Sequence, residues 1–597
     1  MIRVEGASRS VAAVDGAAGA AAGPKATTAA GGGPRRALLH PVHLTIEPGS
    51  AHLILGANGS GKTTLIRILA GIVPPTEGRV LLDGEVVAAP GLRERDQRPL
   101  WPRVAALFEE PDPQFLSDTV EGEIAFGLES LGMSGDEIRA RAREAIEAYG
   151  LGALAAREPR TLSAGEKART LLAAAMAARP ATLLLDQTLA HLDPGSRRAL
   201  EARLAAETRA GSLSLLRTHQ DADAPYPGER LHVLAGGSLR AADDLSADDV
   251  LEGRAVPFPL ALRVSAALAA RGAWEGPLVQ DAASLVARLE GAAVAGAEAP
   301  RVAVRGGSAG PPVITLAGVG VTPRGKDGGR PVLEGFDLAL GAGEVVALIG
   351  ASGSGKTTAL HVAAGLREPT RGRAWRAAPA RDGAPAAALA LEYPERQLFG
   401  RTVLEDVAAA LWIAGVAPLE RARRGGAALR EIGLDPEAFG GRIPATLSEG
   451  EKRRAALASF LIEPPQALLL DEPTAGLDPE GRRSLRSAIA ALRAAGRAVL
   501  FASHDLDFVS SVADRVLVLG RAGAGAGRVL GQGAPEAVWR DAALLTRAGL
   551  PAPDHVAIAA ALRRRGLLGG HEGTGGDSIV ALLDGSSAPL TGAAPNR

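Results

Sequence analysis

Short apolar runs followed by glycine-rich turns occur twice along the chain. Residues 52–55 and 345–349 are such runs, and each leads through glycines into a helix-like stretch, at 64–70 and at 358–364. An uninterrupted apolar run of this length predicts a strand that is buried on both faces, as in a parallel sheet. The order strand, loop, helix therefore predicts an α/β unit in each half of the chain.

Two further apolar runs end in an acid. Residues 183–185 and 468–470 are leucines, and Asp186 and Asp471 follow them. A carboxylate that closes a buried strand is costly unless it binds something, and the carboxyl ends of parallel strands form the ligand-binding edge of a sheet. Mg²⁺, bound directly or through water, is the expected partner, and an acidic helix cap is the alternative.

The two glycine-rich turns fit the pattern G-x-x-x-x-G-K-[ST], whose backbone N–H groups wrap the phosphates of a nucleotide. Lys62 and Lys356 are expected to neutralise these phosphates, and the hydroxyls of Thr63 and Thr357 to bind Mg²⁺. The alternative is a pair of glycine turns with solvated lysines. The residues predicted to hold nucleotide are Gly56, Asn58, Gly59, Ser60, Gly61, Lys62, Thr63, Thr64, Gly350, Ser352, Gly353, Ser354, Gly355, Lys356, Thr357 and Thr358.

The chain is an internal repeat. Lys62 matches Lys356 at an offset of 294, and the similarity extends to a short C-terminal appendage that ends at Gly272 in one copy and Gly566 in the other. A repeat of this length is a duplicated domain rather than a solenoid unit. We predict a first domain with its appendage over residues 1–272 and a second over 311–568.

Low-complexity composition predicts the remaining segments. Residues 273–310 form a predicted linker without a charged helical arm, and residues 12–33 a flexible loop within the first domain. The tail over residues 569–597 is expected to be poorly ordered, with 579–583 docking as a short strand.

Composition narrows the functional classes. The formal net charge is −1, which gives no electrostatic footprint for nucleic acid or anionic lipid. The chain has no cysteine, which excludes disulfides and thiolate chemistry. No segment reaches the roughly 18 uninterrupted apolar residues that a membrane span needs, so any membrane role is expected to be peripheral.

At this point the motifs resemble those of a known family. The segments 161–167 and 446–452, TLSAGEK and TLSEGEK, resemble the LSGGQ signature of ABC-type ATPases, and each precedes its acid-ended strand by about 20 residues. The segments 190–194 and 475–479 are similar to the D-loops of that family, and His219 and His504 to its switch histidines. The resemblance covers nearly the whole chain as two tandem nucleotide-binding domains.

The resemblance implies composite sites, in which ATP lies between one phosphate loop and the signature of the other domain. Site one would combine Lys62, Thr63, Asp186, Gln187 and His219 with Ser448 and Gly450. Site two would combine Lys356, Thr357, Asp471, Glu472 and His504 with Ser163 and Gly165.

The two sites differ after the acid-ended strand. Glu472 would orient the attacking water while His504 contacts the γ-phosphate. Gln187 can position water but cannot take its proton, so site one is expected to hold ATP with slow or no hydrolysis. The alternative is that Gln187 is merely tolerated and that the role of general base is shared.

Two features depart from the family pattern. The glutamine of its Q-loop is replaced by Glu109 and by Glu392, which can still bind Mg²⁺ but are repelled by the γ-phosphate. No aromatic residue lies near Ser10 or Thr322, where members of the family usually stack adenine.

Both Q-loop segments follow the pattern E-x-P-[DE]-x-Q, then two apolar residues, a Thr-Val pair and an acid. This pattern resembles the ATPase subunits of energy-coupling factor transporters for vitamins, cobalt or nickel. The resemblance implies a transmembrane scaffold subunit and a substrate-capture subunit as partners, at the cytoplasmic face of the membrane, with Asp112 and Glu395 meeting basic side chains of the scaffold. Two alternatives are the ATPase of another ABC importer or exporter, and a soluble tandem ABC ATPase that acts on ribosomes or DNA.

Overall fold

The computed structural model describes residues 1–12, 35–92, 100–189, 192, 194–219, 225, 228–253, 256, 258–290, 310–323, 330–378, 386–391, 394–521, 525–568 and 576–584. The chain forms two compact units. The first comprises Met1–Leu245 with Ala255–Phe258, and the second comprises Ser246–Arg254 with Pro259–Arg597.

The first unit contains β1 (Ile2–Ala12), β2 (Arg35–Ile46), β3 (Ala51–Leu55), α1 (Lys62–Leu69), β4 (Glu77–Leu82), β5 (Glu85–Ala88), β6 (Val104–Leu107), α2 (Val120–Ser130), α3 (Gly135–Ala148), α4 (Ala164–Ala177), β7 (Thr182–Asp186), α5 (Pro194–Arg209), β8 (Ser214–His219), β9 (Arg230–Ala235) and β10 (Ser238–Ala241). Its central sheet has the order β10-β9-β3-β8-β7-β6, and a second sheet has the order β2-β1-β4-β5. Neighbouring strands from β9 to β6 run parallel.

The second unit begins with α6 (Ala247–Glu252), α7 (Leu260–Ala270), α8 (Ala282–Glu290), β11 (Pro312–Val321), β12 (Leu333–Gly341), β13 (Val345–Ile349), α9 (Lys356–Ala364), β14 (Arg371–Arg376), β15 (Ala387–Ala390), α10 (Val403–Val407), α11 (Ala409–Ile413), α12 (Pro418–Glu431) and α13 (Pro436–Phe439). It continues with α14 (Glu449–Leu461), β16 (Ala467–Asp471), α15 (Pro479–Ala494), β17 (Ala498–Ala502), α16 (Leu506–Val512), β18 (Arg515–Arg521), β19 (Gly527–Gly533), α17 (Pro535–Arg540), α18 (Ala542–Ala548), α19 (Asp554–Arg564) and α20 (Gly576–Asp584). One sheet of order β14-β11-β12-β19-β18-β13-β17-β16-β15 contains all of its strands.

The predicted α/β fold with two parallel-sheet cores is confirmed. Strand β7 shows why its sequence is a continuous apolar run: Leu183 and Leu185 enter the core beneath α2–α5, while Leu184 enters the core beneath α1. A strand that is covered on both faces has no solvent-facing position for a polar residue. The helices predicted after the glycine loops are α1 and α9.

The appendages differ from the expectation. Residues 579–583 lie in helix α20 and not in a strand, because Ile579, Val580 and Leu583 share one buried helix face. This helix lies within the predicted tail, and α8 lies within the predicted linker. By their contacts, helices α7 and α8 belong to the second unit, while the assignment of residues 1–272 and 311–568 to the two domains stays a prediction. Of the predicted loop over residues 12–33, all but Ala12 lie outside the described residues.

Within the described ranges, no helix combines the length and the apolar character that crossing a membrane requires.

A histidine pair joins β3 to β9, with His52 buried and His232 partly buried. The Nδ1 atom of His52 lies 3.0 Å from Nε2 of His232, and the rings stack with centroids 5.2 Å apart. Burial, reinforced by His232 and Arg230, lowers the pKa of His52 to about 3. Burial, reinforced by Arg230, lowers the pKa of His232 to about 4.

We expect the unfolding free energy of the first unit to fall as the pH drops from 7 to 5. Both histidines stay neutral in the folded state, whereas in the unfolded chain they take up protons near pH 6.5. His52→Gln removes one titrating group and should reduce the loss by about 2 kcal/mol at pH 5. Denaturant titrations at pH 7 and pH 5 measure this, with exposed His43→Gln on β2 as the control. An unchanged pH dependence in His52→Gln would contradict the prediction.

Candidate nucleotide-binding sites

Four strand ends meet at one edge of the parallel sheet in the first unit. The glycine loop follows β3, His219 ends β8, Asp186 ends β7 and Glu109 follows β6. These strands are neighbours in the order β3-β8-β7-β6, and they run in the same direction. In the second unit, β13, β17, β16 and β15 repeat this order. Residues far apart in sequence are therefore brought together at the edge where α/β sheets bind ligands.

Each glycine loop turns sharply into the helix that follows. Gly61 and Gly355 precede α1 and α9 with φ values of 106° and 96°, in the left-handed region that favours glycine. Gly56, Asn58, Gly59, Ser60 and Gly61 lie in the first loop, and Gly350, Ser352, Gly353, Ser354 and Gly355 lie in the second; the pairs Thr63–Thr64 and Thr357–Thr358 lie in the first turns of α1 and α9.

The loop lysine is buried in both halves. Nζ of Lys62 donates to the carbonyl oxygens of Gly56 at 2.6 Å and Ala57 at 2.9 Å. Nζ of Lys356 makes the equivalent bonds to Gly350 at 2.8 Å and Ala351 at 3.2 Å. Each ammonium is thus fixed beside the N-terminus of a helix, where positive charge and backbone N–H groups favour an anion.

The serine of each loop supports the same conclusion. The hydroxyls of Ser60 and Ser354 are buried, and neither has a hydrogen-bond partner among the described residues. Buried hydroxyls are usually satisfied, so these two atoms fit a site whose ligand supplies the missing bonds. A phosphate oxygen accepts such bonds.

The acids at the strand ends are held by hydroxyls. Oδ1 of Asp186 accepts a 2.7 Å bond from Oγ1 of Thr218. Burial raises the pKa of Asp471, although the hydrogen bond from Thr357 and the charge of Lys356 oppose that shift. A buried carboxylate beside a threonine hydroxyl is an oxygen donor set that suits Mg²⁺.

The described residues contain no cluster of three or more histidines, aspartates or glutamates placed to hold a metal ion. In nucleotide sites, Mg²⁺ takes most of its ligands from the nucleotide and water. Asp186 with Thr63, and Asp471 with Thr357, would hold the ion, which would neutralise phosphate charge. Glu392 lies outside the described residues. The carboxylate of Glu109 accepts a hydrogen bond from the side chain of Gln187.

The residues that follow Asp186 and Asp471 share one backbone conformation, but their side chains contact different partners. Gln187 and Glu472 have φ values of 54° and 47°, a left-handed conformation that is strained for these residue types. Oε2 of Glu472 accepts a 3.1 Å bond from the backbone N–H of His504, and Oε1 lies 3.1 Å from the ring Nε2 of the same residue. The predicted base and the predicted switch histidine are therefore in direct contact.

In the first half, Nε2 of Gln187 donates a 3.2 Å bond to Oε2 of Glu109. The Oε1 atom of Gln187 is buried and has no hydrogen-bond partner within the described part of the chain. The amide thus binds the Q-loop carboxylate, and the predicted switch histidine His219 is buried at the end of β8.

Each signature motif begins a helix. Ser163 caps α4 together with Glu166, and Ser448 caps α14 together with Glu451, both as reciprocal capping boxes. Both serines are exposed, and Gly165 and Gly450 lie in the first turn that follows them.

Two contacts of the signature helices were missed from the sequence. Nζ of Lys167 lies 2.5 Å from Oδ1 of Asp112, so the signature helix is tied to the Q-loop of its own domain. Arg453, on α14, donates a 2.6 Å bond to the carbonyl oxygen of Glu472. The position that matches Arg453 in the first half is Ala168. The sequence hinted at these contacts only through a basic residue that closely follows each signature serine, Lys167 in the first half and Arg453 in the second.

Comparison with known proteins gives consistent matches. The sequence profile of the ABC transporter family matches residues 39–190 and 333–475. An ABC transporter ATP-binding protein of Streptomyces avermitilis is 31% identical over 509 residues, which cover 80% of this chain and 88% of that protein. A Bifidobacterium longum protein of the same description is 30% identical over 505 residues; the match covers 80% of this chain and 62% of the relative, less than two thirds of its length.

Among solved structures, a chain of the ribosome-bound archaeal Pelota and ABCE1 complex superposes with a TM-score of 0.58 at 19% identity, over 85% of this chain and 78% of that chain. This similarity concerns the fold alone. The relative from Streptomyces is matched along most of its length, and the sequence profile covers both halves. The chain therefore belongs to the ABC transporter family, as a tandem ATP-binding protein that hydrolyses ATP and uses Mg²⁺.

Proposed function

We propose that the chain powers the uptake of a micronutrient, a vitamin or a transition-metal ion, through an energy-coupling factor type ABC transporter. The observation that supports this best is a Q-loop built in the same way in both halves. Gln114 binds back to Phe108 N–H at 3.1 Å, and Gln397 binds back to Leu391 N–H at 3.0 Å. These glutamines belong to the E-x-P-[DE]-x-Q pattern that suggested the transporter class.

Each Q-loop has an exposed apolar residue, called its tip here, which is Leu116 in the first half and Phe399 in the second. The backbone N–H of each tip donates a hydrogen bond to a buried acid. Oε2 of Glu123 accepts bonds from the N–H groups of Leu116 at 2.8 Å and Ser117 at 2.9 Å. Oδ1 of Asp406 accepts the equivalent bond from Phe399 N–H at 2.7 Å. Leu116 is 69% exposed and Phe399 is 83% exposed. We infer that these two exposed apolar side chains form part of a protein-docking surface.

The partners that suit this surface are a transmembrane scaffold subunit, which would contact both tips, and a substrate-capture subunit bound to that scaffold. The chain would then act at the cytoplasmic face of the membrane, attached through its partners. The side chain of Glu395 lies outside the described residues, whereas Asp112 is exposed beside Lys167. A basic residue of the scaffold would compete with Lys167 for Asp112.

The proposed engine is asymmetric. Site two would place Glu472 and His504 opposite the signature residues Ser163 and Gly165 of the first half. Glu472 accepts a hydrogen bond from the attacking water and orients it, and His504 holds Glu472 in place. Site one would use Ser448 and Gly450, and its amide Gln187 already donates to Glu109, so it retains ATP with slow turnover.

Glu472→Gln is expected to lower the ATPase rate by about 100-fold or more, since the amide cannot accept the proton of water. Gln187→Ala should retain most of the activity, because site one contributes little turnover. Phosphate release measures both rates, and binding of a fluorescent ATP analogue verifies that the sites still fill. Undiminished turnover in both variants would exclude the asymmetry.

Reversing the charge at both Q-loops, with Asp112→Arg and Glu395→Arg, should release the chain from its membrane complex. ATP binding should persist, since neither residue lies in a phosphate loop. Purification from native membranes, followed by identification of the co-purifying membrane proteins, gives the readout. Asp136→Arg, at an exposed position on α3, is the matched control and should leave the complex intact. Co-purification that survives the double reversal would refute the proposed docking.

A second candidate is a tandem ATPase that acts on ribosomes. It is considered because a chain of similar fold occurs in a ribosome-bound complex. The absence of cysteine excludes an iron–sulfur variant, and the net charge of −1 does not suit a surface for RNA. Sedimentation of the chain with ribosomes instead of membranes would favour this candidate. A third candidate, the ATPase of another ABC importer or exporter, would be indicated by membrane partners of a different class.

A further inference from the structure

The appendages of the two halves form one helical bundle within the second unit. Helices α7 and α19 are related by the repeat offset of 294, and so are α8 and α20, so each copy of the repeat contributes two helices. They share a core made of Ala261, Val264, Ala267, Leu268, Val279, Leu285, Leu289, Ile558, Ala559, Ala561, Leu562, Leu568, Ile579, Val580 and Leu583. At the rim, Arg271 donates a 2.7 Å bond to the carbonyl oxygen of Leu582, and Arg564 pairs with Glu290.

One buried histidine of this bundle, His555, contacts helix α16, which follows the predicted switch histidine of site two. His555, on α19, is 1% exposed. Its Nδ1 atom binds the carboxylate of Asp507, and its Nε2 atom lies 3.3 Å from Oγ of Ser510. Asp507 and Ser510 both belong to α16. Trp539 adds a 2.9 Å bond from its indole N–H to the same serine oxygen.

This aspartate, histidine and serine occupy the positions of a hydrolytic triad, but the hydrogen bonds of the serine give it another role. Oγ of Ser510 donates to the carbonyl oxygen of Leu506 at 2.7 Å and accepts from the indole of Trp539. The hydroxyl proton is therefore directed at the backbone and not at His555, and an activated nucleophile needs the opposite arrangement. The cluster ties two helices together.

Helix α16 begins two residues after the predicted switch histidine, His504. Asp505 caps its N-terminus, accepting a bond from Phe508 N–H at 2.9 Å, and also pairs with Arg482 of α15. His504, one residue earlier, contacts Glu472 through its backbone and its ring. Helix α16 has seven residues and is anchored at its first turn and again at Asp507 and Ser510. We expect these contacts to restrict the backbone conformation of His504.

The repeat does not reproduce this cluster. In the first half, the position that matches His555 is Ala261, which cannot form a polar contact through its side chain. The polar tie therefore belongs to the half that carries Glu472.

We propose that His555 is a positioning residue that locks the switch helix α16 to the appendage bundle, so that the bundle fixes His504 against Glu472 and sets the rate of hydrolysis. This rests on the proposed catalytic role of Glu472 and His504. Because half of the bundle comes from the first copy of the repeat, the lock also makes turnover at site two depend on helices α7 and α8.

The test replaces His555 with Phe, which keeps an aromatic ring and removes both polar contacts. We expect kcat for ATP to fall about tenfold or more while KM changes little, since the phosphate loop is untouched and only the catalytic geometry is loosened. Amide hydrogen exchange in residues 506–512 should increase at the same time. Asp507→Ala, at a half-exposed position, removes the acceptor of His555 and should shift both quantities in the same direction even if His555→Phe folds poorly.

Ile558→Val is the control, because Ile558 is buried in the same bundle and lies outside the polar cluster. It should lower the melting temperature slightly and leave kcat and the exchange of α16 unchanged. Unchanged exchange in both lock variants would overturn the lock, and so would increased exchange with an unchanged kcat. Glu472→Gln, measured in parallel, separates the two proposals: if that variant keeps full turnover, the assignment of site two fails, while hydrogen exchange still decides whether His555 holds α16.

Discussion

Burial of the parallel sheets on both faces is the constraint on which the rest of the structure depends. Strand β7 sends alternate leucines into two separate cores, and β16 does the same with Leu468, Leu469 and Leu470. A charge within such a strand has no solvent and needs a partner, as Arg217 of β8 has in Glu229. The candidate site residues lie at the strand ends or just beyond them, at the carboxyl edge, where the glycine loops lie. The position of the site is a consequence of packing, and its chemistry depends on a few residues just beyond the strand ends.

The two halves show how the chemistry can change while the fold stays. Gln187 and Glu472 have nearly the same left-handed backbone, yet one amide binds Glu109 and one carboxylate binds His504. The second half adds Arg453, which holds the carbonyl oxygen of Glu472. The same strained backbone conformation thus occurs at both positions, although the side chains contact different partners.

The sequence was sufficient wherever a local pattern carried the information. The glycine loops, the helices after them and the acid-ended strands were all predicted, because glycine spacing and apolar runs determine them locally. Residues 579–583 were misassigned as a strand, since a run of five apolar residues also suits one face of a buried helix, and only packing against α7 separates the two. The contacts of Lys167 with Asp112 and of His555 with Asp507 join residues that are 55 and 48 positions apart, so they follow from tertiary structure that no periodicity reports.

The shared appendage bundle has a consequence for how this protein can be divided. A cut in the segment between the repeats would leave α7 and α8 on one fragment and α19 and α20 on the other, each pair with an apolar face uncovered. Two halves that are expressed separately would therefore associate with each other, or each would self-associate, before any nucleotide is present. A gene that once encoded two subunits could fuse at this segment without loss, but the reverse split would demand that the bundle reassemble between chains.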